Sequence, residues 1–85
     1  MLNPVLRKPE VKAATGMPNS TLYLRIAQGL FPAPVRLGPK SVAWPTREVA
    51  AINAARIAGQ TDDQIRELVK QLHAARTILA HGVAA

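Results

Sequence analysis

The stretch that decides the fold is LFPAPVRLGPKSVAWP, residues 30–45. Four of its sixteen residues are proline, which neither continues a helix nor donates a hydrogen bond to a sheet. The triplets VRL and VAW are β-prone, and the tetrad GPKS between them is typical of a turn. The stretch therefore predicts a stiff two-stranded β-hairpin.

The hairpin is expected to have one apolar face and one basic face. Side chains alternate along a strand, so Val35 and Leu37 are expected on the inner face and Arg36 on the outer face. By the same alternation Trp44 shares the inner face with Val42. A hairpin of this kind beside two short helices is a wing.

Two short helices precede the hairpin. Pro9 suits the first turn of the first helix, and Gly16 suits its left-handed end. Asn19 or Ser20 is expected to cap the second helix, which Gly29 ends. Two short helices joined by a glycine-containing turn predict a helix-turn-helix.

Two further helices follow the hairpin. Thr46 is expected to cap the third, which ends at Gly59. Its inward-facing residues are predicted to be Val49, Ile52, Ala55 and Ile57. The residues from Thr61 to Gln64 match a capping box, which predicts a fourth helix from there to about Leu79.

The predicted fold is mainly α with a small β-hairpin: a winged helix-turn-helix plus an extra C-terminal helix. We expect residues 1–59 to form the winged-helix domain. Residues 60–85 would form the C-terminal helix, which either packs on that domain or mediates self-association.

The fourth helix carries the apolar residues Ile65, Leu68, Leu72, Ala75 and Leu79 at spacings of 3, 4, 3 and 4, the pattern of a helix seam. The seam is too short to be stable alone, so it packs on the domain core or on a second chain. The residues expected to mediate self-association are Ile65, Leu68, Leu72 and Leu79.

Composition excludes several function classes. The 85-residue chain has no cysteine and only two histidines, which leaves no disulfide framework and no thiolate metal site. His73 and His81 are expected at the surface rather than as ligands. No nucleophile–base pair, carboxylate pair or phosphate loop is present, so we expect neither an enzyme nor a cofactor, a metal or a small-molecule substrate. No apolar run is long enough for a membrane span and the start lacks a signal-peptide core, so a cytoplasmic protein is expected.

Charge is unevenly distributed along the chain. Residues 1–59 hold eight bases and two acids, a net charge of +6, whereas residues 60–85 hold three bases and three acids. A small unit with this excess indicates a polyanionic partner, usually nucleic acid. The alternative interpretation is that the excess positive charge serves only to keep the protein soluble.

Several stretches resemble the AlpA-like family of small phage and mobile-element regulators and excisionases, which have a MerR-like winged helix. They are Gly16-Met17, STLY at residues 20–23, GLFPAPVRLG at residues 29–38, and Trp44 with Glu48-Val49. The resemblance covers about residues 5–57. Pro18 and Asn19 stand where the family carries Ser and then Arg, and Leu24-Arg25 reverses its usual order of a basic and an apolar residue.

The resemblance implies that the second helix enters the major groove of DNA. With Leu22 and Ile26 inward, Ser20, Leu24, Ala27 and Gln28 would point most directly outward. The expected recognition-helix contacts are Asn19, Ser20, Thr21, Tyr23, Leu24, Arg25 and Gln28. Arg25 is able to read guanine, whereas Leu24 would touch either a thymine methyl or a neighbouring protein.

Basic residues outside the recognition helix are expected at phosphates or in the minor groove. On the wing they are Arg36 and Lys40, with Ser41 beside them. Further candidate phosphate contacts are Lys8, Lys12 and Arg47, each of which is equally interpretable as plain surface charge.

Two related roles follow from the resemblance. One is an excisionase, or recombination directionality factor, that binds double-stranded DNA cooperatively as a homo-oligomer and bends it for a site-specific integrase. The other is a transcriptional regulator of a mobile element; in both roles the protein would be bacterial and nucleoid-associated. The alternatives from other classes are a protein–protein adaptor and a structured-RNA binder, although the sequence lacks interleaved surface aromatics for stacking on RNA.

Overall fold

The computed structural model describes residues 4–84, and the side chains of residues 4–77. The elements within this range, in chain order, are β1 (Val5–Leu6), α1 (Lys8–Thr15), α2 (Asn19–Ala27), β2 (Val35–Gly38), β3 (Ser41–Pro45), α3 (Thr46–Ile57) and α4 (Asp62–Ala84). The predicted fold, a mainly helical winged helix-turn-helix with a C-terminal helix, is confirmed.

The helix-turn-helix is formed by α1, α2 and the short link between them. At the start of α1, the backbone N–H of Arg7 donates to the Glu10 carboxylate at 2.9 Å. The helix ends at Gly16, whose φ is +71° and whose N–H donates to the Lys12 carbonyl at 2.8 Å. This left-handed conformation favours glycine, so the predicted end of α1 is confirmed.

Three antiparallel strands form one small sheet in the order β1-β3-β2. The predicted hairpin of β2 and β3 is present and is called the wing from here on. Leu6 in β1 lies opposite Trp44 in β3, which ties the beginning of the described chain to the wing. The wing is therefore an integral part of the domain.

The predicted inner face of the wing is only partly correct. Leu37 is 49% exposed, and the pairing is irregular between Arg36 and Gly38, where alternation breaks down. Ala43 and Trp44 are both fully buried although they are consecutive. Neighbouring strand residues point to opposite faces, so the central strand β3 is covered on both sides.

The core is built around Trp44. Its indole N–H donates to the Pro32 carbonyl at 2.8 Å, and its ring lies 6.4 Å from the ring of Phe31. The buried cluster consists of Val11, Leu22, Leu30, Phe31, Trp44, Val49, Ile52, Ala55, Ile65 and Val69. Every helix contributes to this one cluster.

The inward face of α3 is predicted correctly except at its end. Val49, Ile52 and Ala55 are buried, but Ile57 is 88% exposed. Two residues beyond Ala55 correspond to a rotation of about 200° around the helix, which turns Ile57 towards solvent.

The fourth helix packs on the domain. Its predicted capping box is present: the Thr61 N–H donates to the Gln64 side chain at 2.8 Å, and the Gln64 N–H donates to the Thr61 hydroxyl at 3.2 Å. Ile65 and Val69 are buried, and Leu68 and Leu72 are half-buried against the same core.

This packing corrects one expectation about self-association. Ile65 is fully buried within its own chain, so it is not available to a second one. Leu68 and Leu72 retain partial exposure, and the side chain of Leu79 lies outside the described residues.

Candidate nucleic-acid interface

The second helix presents a solvent-facing surface that we call the outer face of α2. Its exposed residues are Asn19, Ser20, Tyr23, Leu24, Ala27 and Gln28. Leu22 is fully buried and Ile26 is half-buried against the core, so the helix has the predicted phase. Thr21 lies between the two sides and is half-buried.

The first residues of α2 do not act as caps. The residue before the helix is Pro18, whose carbonyl accepts the Leu22 N–H at 3.0 Å, and no side chain caps this end. The expectation that Asn19 or Ser20 caps α2 is therefore wrong, because the helix already includes both residues. Their polar side chains are exposed and make no hydrogen bond to another described residue.

Tyr23 and Lys8 meet at one flank of the outer face. Tyr23 is 40% exposed, and the Lys8 ammonium lies 5.3 Å from the centre of its ring. A cation at this distance interacts favourably with an aromatic face. The contact fixes one positive charge at the border between α1 and α2.

Arg25 lies at the opposite flank, half-buried in a groove of about 230 Å³. The groove is lined by Thr15, Met17, Arg25, Leu30, Phe31, Ile52, Asn53 and Arg56. Arg56 also forms an ion pair with Asp62 at 3.2 Å. Arg25 is thus beside the outer face rather than on it, and its predicted role in reading guanine remains a prediction.

The wing holds its two basic side chains in solvent. Arg36 and Lys40 are exposed, and Ser41 is half-buried at the start of β3. Lys40 lies in the two-residue turn between the strands, at the tip. The three predicted wing residues therefore lie together at the distal part of the hairpin.

The other candidate phosphate contacts are on separate elements. Lys8 and Lys12 are half-buried on α1, and Arg47 is exposed in the first turn of α3. Lys8 is directed to Tyr23 as described above. Arg47 therefore lies on a different element from the outer face of α2.

Each of the two acidic residues in the range 4–59 interacts with a partner in the structure. Glu10 accepts the Arg7 N–H, and Glu48 is 2% exposed and ion-paired with Arg76. The Glu48 carboxylate therefore adds no unpaired negative charge to the surface around the helix-turn-helix. With eight bases against these two acids, residues 1–59 have a net charge of +6.

The segment from α2 to the wing, residues 28–34, is held by α4, and we call it the linker. The Ala33 N–H donates to His73 Nε2 at 3.1 Å, and the Ala33 carbonyl accepts from the Arg76 guanidinium at 2.7 Å. The Gln28 carbonyl accepts from Arg66 Nε at 2.9 Å. The expectation that His73 lies at the surface is wrong, because this half-buried side chain is a linker contact.

Sequence reasoning missed these three contacts because each partner lies 38 to 43 residues from the linker. No local motif brings residues so distant together. His81, the other histidine, has its side chain outside the described residues.

Within the described part of the chain, no group of three or more His, Cys, Asp or Glu side chains is arranged to hold a metal ion. None of the helices found there is long and apolar enough to cross a membrane.

Comparison with known proteins gives a consistent result. The family model described as "Prophage CP4-57 regulatory protein (AlpA)" matches residues 4–55. The uncharacterized protein ORF88 of Enterobacteria phage P4 is 51% identical over 55 residues. That match covers 65% of this chain and 62% of the relative, so the chain spans less than two thirds of the relative's length. No solved structure matches the chain.

Proposed function

This chain belongs to the family of the prophage CP4-57 regulatory protein (AlpA), as its sequence resemblance predicted, and we propose that it is a sequence-specific double-stranded DNA-binding regulator of a phage or related mobile element. The observation that carries the proposal is the joint placement of the outer face of α2 and a basic wing on one domain. In winged helix-turn-helix proteins the second helix enters the major groove.

Charge supports the same proposal. Lys8 at one flank of α2, and Arg36 and Lys40 on the wing, are suited to phosphates on either side of the groove. The buried Glu48 is neutralised by Arg76, which limits repulsion of the DNA backbone. This arrangement favours a binding function over a catalytic one, and duplex DNA is the partner that fits it.

A salt series tests the proposal directly. Binding of duplex DNA by the full chain should weaken steeply as salt increases, because each neutralised phosphate adds about 0.9 to the slope of log K against log salt. Lys40→Ala should flatten that slope by about one unit if Lys40 contacts one phosphate. The matched control is Lys70→Ala, which removes an exposed lysine from α4.

The two variants separate the proposal from general polycation binding. Equal effects of Lys40→Ala and Lys70→Ala would mean that net charge alone is being measured. An absence of salt-dependent duplex binding would overturn the DNA-binding proposal and favour a protein–protein adaptor.

For the finer role we propose a recombination directionality factor that binds DNA cooperatively as a homo-oligomer and assists a site-specific integrase; the alternative is a transcriptional regulator without a part in excision. The small basic domain supports cooperative binding, since one such unit reads few base pairs. Leu68 and Leu72 are the half-buried seam residues left to contact a second copy.

An excision assay with the integrase of the same element discriminates between the two roles. A directionality factor increases excision in proportion to laddered, cooperative gel shifts at the attachment site. A regulator leaves excision unchanged and protects a promoter instead.

A further inference from the structure

The outer face of α2 carries no charged side chain. Its members are Asn19, Ser20, Tyr23, Leu24, Ala27 and Gln28, and Leu24 at its centre is 55% exposed. The neighbouring cations lie off this face: Lys8 is at the ring of Tyr23, and Arg25 lines the groove with Arg56. The surface offered to a groove of DNA is therefore uncharged and consists of amide, hydroxyl and apolar groups.

Each base pair presents a different chemical pattern in the major groove. Guanine offers two acceptors and is read by Arg or Lys, whereas adenine is read by the paired donor and acceptor of Asn or Gln. Thymine alone adds a methyl group, which apolar side chains contact. An uncharged face with the amide of Gln28 beside an apolar centre is complementary to A·T pairs.

We propose that the outer face of α2 reads A·T base pairs in the major groove, with Leu24 and Ala27 against thymine methyl groups and Gln28 on adenine. This inference rests on the proposed function, because it names the bases that the DNA-binding face takes. The flanking cations then position the helix on phosphates, and the neutral centre supplies the sequence preference.

Exposure of Leu24 is not by itself evidence of a DNA-binding face. Single exposed apolar residues are common on protein surfaces, and Ile57 is exposed even more. Leu24 differs because Ser20 lies one turn before it and Ala27 and Gln28 lie one turn after it, on the same face of the helix. Ile57 is the last residue of α3 and is not part of α2, which makes it a suitable control.

The side-chain amide of Gln28, one turn after Leu24, is available to bind a base. The side chains of Asn19 and Gln28 make no hydrogen bond to another described residue; only the backbone carbonyl of Gln28 is engaged, by Arg66. Gln28→Ala therefore removes the amide without removing the contact that holds the end of α2.

The experiment begins with selection of binding sites from a random duplex pool by the full chain. In the selected duplex, each thymine is then replaced in turn by deoxyuridine, which lacks only the major-groove methyl. We expect an A·T-containing core and at least one thymine whose replacement weakens binding about three- to fivefold, the effect of losing one buried methyl-sized group.

Protein variants assign that effect to Leu24. In Leu24→Ala the deoxyuridine duplex should bind as well as the thymine duplex, whereas Ile57→Ala should keep the full difference. The thymine substitution is made in the DNA, so it tests the inference even if a variant folds poorly.

The failures are distinguishable. Salt-dependent binding that is insensitive to every deoxyuridine, or that is lost when guanine is replaced by 7-deazaguanine, overturns the A·T inference and leaves the proposed function standing. An absence of duplex binding in the wild-type chain overturns both.

Discussion

The side chain of Glu48 is the one buried charged group among the described residues. The Arg76 guanidinium binds both of its carboxylate oxygens, through Nε at 2.8 Å and through Nη2 at 2.5 Å. The same Nη2 reaches the Ala33 carbonyl at 2.7 Å. One arginine thus joins α4, α3 and the linker.

Replacement of Arg76 by Met should destabilise the fold by about 3 kcal/mol, because it leaves the Glu48 carboxylate buried without its partner. This is a large share of the total for so small a domain. Urea unfolding followed by the emission of Trp44, which is fully buried, measures the loss.

The matched control is the double variant Glu48→Gln with Arg76→Met. Without a buried charge, it should recover part of the stability lost in the single variant. Equal stability of wild type and Arg76→Met would show that the pair contributes nothing to the free energy of unfolding.

At this scale the sequence predicts local interactions and misses distant ones. Gly16 at the end of α1, and the capping box of Thr61 and Gln64, follow from chemistry within a few residues. Glu48 and Arg76 are 28 residues apart, and neither stands in a pattern that points to the other. Only the packing of α4 brings them together.

At the scale of elements, the wing shows which features sequence patterns predict and which they do not. The turn GPKS and the two β-prone triplets predict the hairpin correctly, but strand alternation misplaces Leu37. Alternation assumes regular pairing, and the register here is irregular between Arg36 and Gly38. The pairing of β1 with β3 is also not predicted by any local sequence pattern, because it joins segments about 40 residues apart.

The fourth helix lies beyond the family match, which ends at residue 55, yet it completes the core. A chain ending at residue 59 should therefore fail to show a cooperative thermal transition. It loses the burial of Ile65 and Val69, roughly 1.5–3 kcal/mol each, and leaves Glu48 unpaired. Far-ultraviolet circular dichroism during heating measures this.

A chain ending at residue 77 is the control for that truncation. It retains Ile65, Val69, His73 and Arg76, so a single cooperative transition should remain. Cooperative unfolding of the chain ending at residue 59 would instead mean that residues 1–59 are an independent domain, as the sequence predicts.

At the scale of the whole molecule, α4 supports the proposed DNA-binding surface without being part of it. It binds the linker at both ends, at Gln28 through Arg66 and at Ala33 through His73 and Arg76. The linker sets the position of the wing relative to α2. A substitution in α4 that loosens the linker should therefore lower the affinity for duplex DNA by displacing the wing.

The variant His73→Ala removes the acceptor for the Ala33 N–H, and a hydrogen bond of this kind contributes about 1 kcal/mol. We expect it to weaken duplex binding about two- to fivefold, because a looser linker positions Lys40 less well. Gln71→Ala, at an exposed position of the same helix, should leave affinity unchanged. The measurement is a double-mutant cycle in which His73→Ala is combined with Lys40→Ala at one fixed salt concentration. If α4 acts through the wing, His73→Ala costs little once Lys40 is gone; fully additive losses would mean that His73 affects DNA binding by another route.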